Sequence, residues 1–97
     1  MEIIMSEKVI QIPEHFDFGY YKEFTEQYQK LLADDSVTTI DLEFSRVGYL
    51  DSSALGMMVM LQKKAKIQNV SIRIKGPRES TKEILQIANF EQLFDIT

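Results

Sequence analysis

Ninety-seven residues, 44% of them hydrophobic and 27% charged, have the composition of one globular domain rather than of a disordered tail. A chain of this length buries only about 60% of its unfolded surface, which disfavours a deep, water-excluding catalytic cavity. Eleven basic against fifteen acidic residues leave a formal charge of −4, the wrong balance for neutralising nucleic-acid phosphates, so protein partners are expected instead. The absence of cysteine and a single histidine, His15, take away the usual ligands of metal and redox chemistry, and no metal or other cofactor is expected.

From Glu2 to Ile12, the residues Ile3, Ile4, Val9, Ile10 and Ile12 flank a polar Ser6-Glu7-Lys8 break, a pattern that predicts two short strands joined by a tight turn. Pro13 ends that unit. Beyond Phe16-Asp17-Phe18-Gly19, the residues Tyr20, Phe24, Tyr28, Leu31 and Leu32 recur every three or four positions and predict an amphipathic helix over 20–33. Its aromatic residues, Tyr20, Tyr21, Phe24 and Tyr28, read as the buried face, since no basic stripe interleaves them as a base-stacking platform would require. After the turn cluster Asp34-Asp35-Ser36, the run Val37 to Phe44 is rich in β-branched residues and reads as a central strand.

Gly48 to Ser53 reads as a connection into a second helix over 54–67. Val70, Ile72 and Ile74 alternate with polar residues up to the Gly76-Pro77 stop, which is a further strand. A third helix opens near Arg78-Glu79 or Ser80, and Leu93 to Ile96 forms a last short strand or 3₁₀ turn. The order β-β-α-β-α-β-α-β predicts a mixed, mainly parallel sheet of four to five strands in an α/β domain, with three helices mostly on one face. The apolar stretch from Ala54 to Leu61 is too short to span a bilayer, and MEIIMSEKV has neither a basic start nor a signal-like apolar core. Those features lead to the expectation of a soluble cytoplasmic protein without membrane insertion.

Asp51-Ser52-Ser53 lies at a strand-to-helix junction, where Asp and Ser side chains accept hydrogen bonds from the first unpaired N–H groups. Projected at about 100° per residue, Ala54, Met57, Met58, Leu61 and Ala65 form the core stripe of the second helix. Ser52, Gly56, Val59, Met60 and Lys63 fall on the outer side, a stripe suited either to docking a protein or to packing under a neighbouring element. Lys63, Lys64 and Lys66 favour the negative end of the helix dipole. His15, beside Glu14 and Asp17, has no complementary nucleophile and is assigned no catalysis. No constellation of nucleophile, base and oxyanion donor is present, so an enzyme is not expected.

The stretch Ile40-Asp41-Leu42-Glu43-Phe44 with Val47-Gly48-Tyr49-Leu50-Asp51-Ser52-Ser53-Ala54-Leu55-Gly56 resembles the signature of the STAS domain, specifically of bacterial anti-sigma factor antagonists. Phe16-Asp17 resembles the Leu-Asp pair of that family's second-strand loop. Ala54 stands where the family most often has Gly, and Glu14-His15 replace a Gly-Glu pair. The resemblance implies a partner-switching protein. Its unphosphorylated form would bind an anti-sigma factor or serine kinase, and phosphorylation of Ser52 would release that partner. A metal-dependent serine phosphatase would then restore the hydroxyl. By the same resemblance, the loop of Phe16 and Asp17 borders a docking surface beside the second helix, so Phe16, Asp17, Asp51, Ser53 and the outer stripe of that helix are the expected partner-binding residues; a monomer or weak dimer is expected. One rival reading keeps the fold as a subunit docked constitutively on a transporter ATPase. Another, a phosphopantetheine carrier, is opposed by the two central strand patterns.

Overall fold

The computed structural model describes residues 5–97. Among these described residues, six strands and three helices follow in the order β1 (Ser6–Gln11), β2 (His15–Phe16), α1 (Tyr21–Leu32), β3 (Val37–Glu43), β4 (Tyr49–Leu50), α2 (Ser52–Ile67), β5 (Ser71–Lys75), α3 (Glu79–Ile87) and β6 (Asp95–Ile96). Short 3₁₀ turns at Phe18–Tyr20 and Phe90–Gln92 precede α1 and β6. The main sheet has the order β1-β3-β5-β6, and β2 and β4 form a separate pair. Among the described residues every strand pairing is parallel.

A strand order that advances in one direction, joined by right-handed crossovers, carries the connections over one side of the sheet. Ile10, Ile40, Leu42, Ile72 and Ile74 are buried beneath that side. There α1 and α2 lie side by side, contributing Phe24, Tyr28 and Leu32 from one and Ala54, Met57, Met58, Leu61 and Ala65 from the other. Each fully buried aliphatic or aromatic side chain contributes about 1.5–3 kcal/mol. The α2 core stripe is the one its periodicity predicts. The smaller α3 buries Leu85 and Thr81, whose hydroxyl donates to the Val47 carbonyl at 3.1 Å.

Among the described residues nothing covers the opposite side of the sheet, which is unusual for parallel strands. Its polar rows make this tolerable: Arg73 on β5 grips Asp41 on β3 with two hydrogen bonds, at 2.6 and 3.0 Å, and reaches Glu7 on β1 at 3.2 Å. Asp41 and Arg73 are register partners, so the carboxylate meets the guanidinium fork directly, and the Arg73 guanidinium holds its proton more firmly than usual.

Three expectations are corrected. Ser6-Glu7-Lys8 is no turn but the start of β1, paired with β3. An edge strand with one bare face accepts these polar side chains, so their polarity did not signal a break. The expected first strand of that unit, carrying Ile3 and Ile4, lies outside the described residues. Among the described residues the hairpin's antiparallel pairing does not occur, and β1 pairs in parallel with β3 instead. Finally, Gly48 to Ser53 is not a plain connection, because Tyr49 and Leu50 pair with His15 and Phe16. Between Ser6 and Glu7 the β1–β3 register slips past Thr38, whose hydroxyl donates to the Ser6 carbonyl at 3.3 Å.

Candidate functional site

The parallel pairing of β2 with β4 builds the site. Both N–H groups of Gly48 and Tyr49 donate to the Glu14 carbonyl, at 2.9 and 3.0 Å, which clamps the two loops together. Directly after the paired residues Phe16 and Leu50 come two extended aspartates, each opening a helical turn. Asp17 Oδ1 accepts from the Gly19 N–H at 2.9 Å, and Asp51 Oδ1 accepts from the Ala54 N–H at 3.1 Å. Both are N-caps of the ordinary kind.

Ser52 and Ser53 are exposed at the first turn of α2, while the next residue, Ala54, is fully buried. The outer stripe then runs down the helix. Gly56 is exposed, with nothing within 4 Å of where a Cβ would stand. Val59 is half-buried against the core, Met60 is 50% exposed, and Lys63 is exposed. Ser52, Gly56, Met60 and Lys63 therefore share one open helix face, with Asp51 and Asp17 at its head.

Phe16 does not belong to this surface. Its side chain has no exposure and sits edge-on to Tyr20, Phe24 and Phe44 at 5.9, 5.3 and 6.0 Å. Strand alternation explains the correction: the residue that β2 pairs against Leu50 turns inward, and only the following residues of the loop reach solvent. Tyr21, expected in the core, is also corrected, being 48% exposed and stacked at 5.5 Å on Phe18, itself 68% exposed. Tyr21 is the first residue of α1, and its side chain, leaning toward the helix N-terminus, reaches past the core onto Phe18, while Phe24 and Tyr28 carry the buried face. Sequence periodicity missed Phe18 as a surface residue, and the only available signal was the Asp17-x-Gly19 turn beside it. Tyr49 is a further exposed aromatic residue, 5.7 Å from the His15 ring.

Tyr20 holds the turn in place. Its hydroxyl accepts from Gln27 at 2.9 Å and donates to the Gln11 carbonyl at 3.3 Å, and burial raises its pKa. Chemically, the site offers an accessible hydroxyl at a capped helix start, carboxylates beside it, and a mixed apolar and polar face below. Among the described residues, no helix is long and apolar enough to cross a membrane.

The family model described as Mlab, STAS domain matches residues 4–95. The chain belongs to the STAS domain family. A STAS-domain containing protein of Pseudomonas aeruginosa (strain UCBPP-PA14) is 38% identical over 91 residues, covering 94% of this chain and 88% of that protein. The anti-sigma factor antagonist SpoIIAA in its unphosphorylated form superposes with a TM-score of 0.79 at 18% identity, covering 99% of this chain and 84% of that one. The Bacillus cell fate determinant SpoIIAA in its phosphorylated form gives 0.72, also at 18% identity, over 99% and 87% of the two chains. The STAS fold expected from the Asp51-Ser52-Ser53 signature is thus the fold observed.

Proposed function

We propose that this STAS domain is a partner-switching regulator whose unphosphorylated form binds an anti-sigma factor or serine kinase through the face headed by Ser52. Phosphorylation of Ser52 releases the partner, and a metal-dependent serine phosphatase resets the switch. The observation that carries this reading is the placement of an exposed Ser52 hydroxyl at the head of the open stripe Gly56, Met60 and Lys63. A kinase reaches such a hydroxyl without unfolding anything. The phosphoryl group adds about −1.5 to −2 charges beside Asp51 and Asp17, and an unpaired charge forced into an interface is expensive. A penalty of about 3 kcal/mol already weakens binding on the order of a hundredfold. That SpoIIAA is described in both phosphorylation states on a similar fold supports a switch worked at the surface.

A second reading, a subunit docked constitutively on a transporter ATPase, is favoured by one detail. Asp51 already caps the Ala54 N–H, so the start of α2 has its cap without phosphate. Affinity capture with Ser52→Ala and Ser52→Asp baits separates the two. Retention of a serine kinase or anti-sigma factor by the alanine bait and its loss from the aspartate bait is the result expected of a switch. Equal retention of a transporter ATPase by both would replace it with the constitutive reading.

A further inference from the structure

At the other end of α2, the final turns of α1 and α2 run side by side and leave a groove of about 290 Å³ lined by Tyr28, Leu32, Ala33, Lys64, Ile67 and Gln68. It continues past Leu32, Ala33 and Gln68 into a depression flanked by Asp34 and Asp35. Ile67 stands at its lip, 83% exposed, a branched aliphatic side chain left in water where α2 ends. Lys64 sits at one end, its ammonium 5.7 Å from the centre of the Tyr28 ring, and the two aspartates lie at the other.

We infer that this groove is a self-association surface whose occupant is a second copy of the same chain. Charge complementarity supports a second copy, because the groove carries a cation at one end and carboxylates at the other. A two-fold contact brings each patch onto itself reversed, so residue i of one copy meets residue j of the other and the reverse. Reversal places Lys64 of each copy against Asp35 of the other, with Ile67 of each against the Leu32–Ala33 wall of its partner. A lipid surface or any partner of one charge sign leaves one flank opposed by like charge. The apolar centre is small, so association is weak and falls as salt rises. The groove lies about 22 Å from Ser52 along a helix rising 1.5 Å per residue, so its occupation is independent of the switch proposed above.

Sedimentation equilibrium of the full chain from micromolar to millimolar concentration tests this, with thermal unfolding confirming that each variant folds. The average mass of the wild type is expected to climb toward that of a dimer. Ile67→Gln, Lys64→Glu and Asp35→Lys are each expected to weaken association ~tenfold or more. Mixing Lys64→Glu with Asp35→Lys turns both repulsive contacts attractive, and the mixture is expected to recover dimer that neither variant forms alone. A wild-type mass constant at the monomer value overturns the inference. So does association that survives Ile67→Gln, or a mixture of folded variants that stays monomeric.

Discussion

Asp17 and Asp51 stand as neighbouring caps on two different helical turns, because the residues just before them, Phe16 and Leu50, are partners in the β2–β4 pair. Two strands of two residues each thereby align a loop and a helix start 34 positions apart in the chain. Removing the Asp51 cap leaves the Ala54 N–H without its partner. Asp51→Ala is expected to lower stability by about 1 kcal/mol while Asp51→Ser retains most of it. Urea unfolding midpoints at constant slope check this, and equal losses for both variants would contradict a capping role.

Gly56 interrupts a helix that has no local need of it. A methyl group at its Cβ position meets nothing within 4 Å, and the residue is exposed. Gly56→Ala is therefore expected to raise stability by about 0.5–1 kcal/mol. If the face is a docking surface that a partner backbone approaches closely, the same change weakens capture of that partner. Denaturation and binding measured on one preparation separate the two effects, and a variant that gains stability without losing affinity places the partner elsewhere.

Met58 and Met60 differ by two positions on α2 and by everything in environment. Met58 has no exposure and Met60 is half exposed. Met58→Ala is expected to cost about 2–5 kcal/mol through lost burial and the cavity left behind, against about 0.5 kcal/mol or less for Met60→Ala. Denaturant titration gives both values. In the proposed function the order reverses for partner capture, where Met60→Ala is the damaging change.

The turn after α1 carries a pH dependence with a definite sign. Asp34 Oδ1 accepts from the Ser36 hydroxyl at 2.7 Å and from its N–H at 2.9 Å, which holds the Asp34 carboxyl below its ordinary pKa. As pH falls, the unfolded chain therefore binds this proton first. The contribution is complete above the unfolded value of about 4 and is lost as pH falls through the lower folded value. Thermal midpoints of wild type and Asp34→Ala are expected to differ at neutral pH and to converge below about pH 4. A gap that widens on acidification would contradict the assignment.

Much of the architecture was legible because the long elements carry a full period of their pattern. The five buried residues of α2 follow from 3.6-residue spacing, and β3 and β5 follow from alternation of Ile and Leu with polar residues. The Asp51-Ser52 junction was legible as a cap for the same local reason. Pairing was not legible. Ser6-Glu7-Lys8 has the composition of a turn and becomes strand only because β3 supplies a neighbour, and two-residue strands such as β2 and β4 carry no period at all.

The amino-acid sequence alone determined the helices, the central strands, the STAS signature and the position of Ser52, since each depends on residues within a few positions of one another. Tertiary structure alone decided that Phe16 is core and Phe18 and Tyr21 are surface, and that Asp17 stands beside Asp51. It also decided that Arg73 of β5 meets Asp41 of β3 on the polar face of the sheet. Those outcomes depend on which distant strand pairs with which and in what register, and a shift of one residue reverses the side to which every side chain of a strand points.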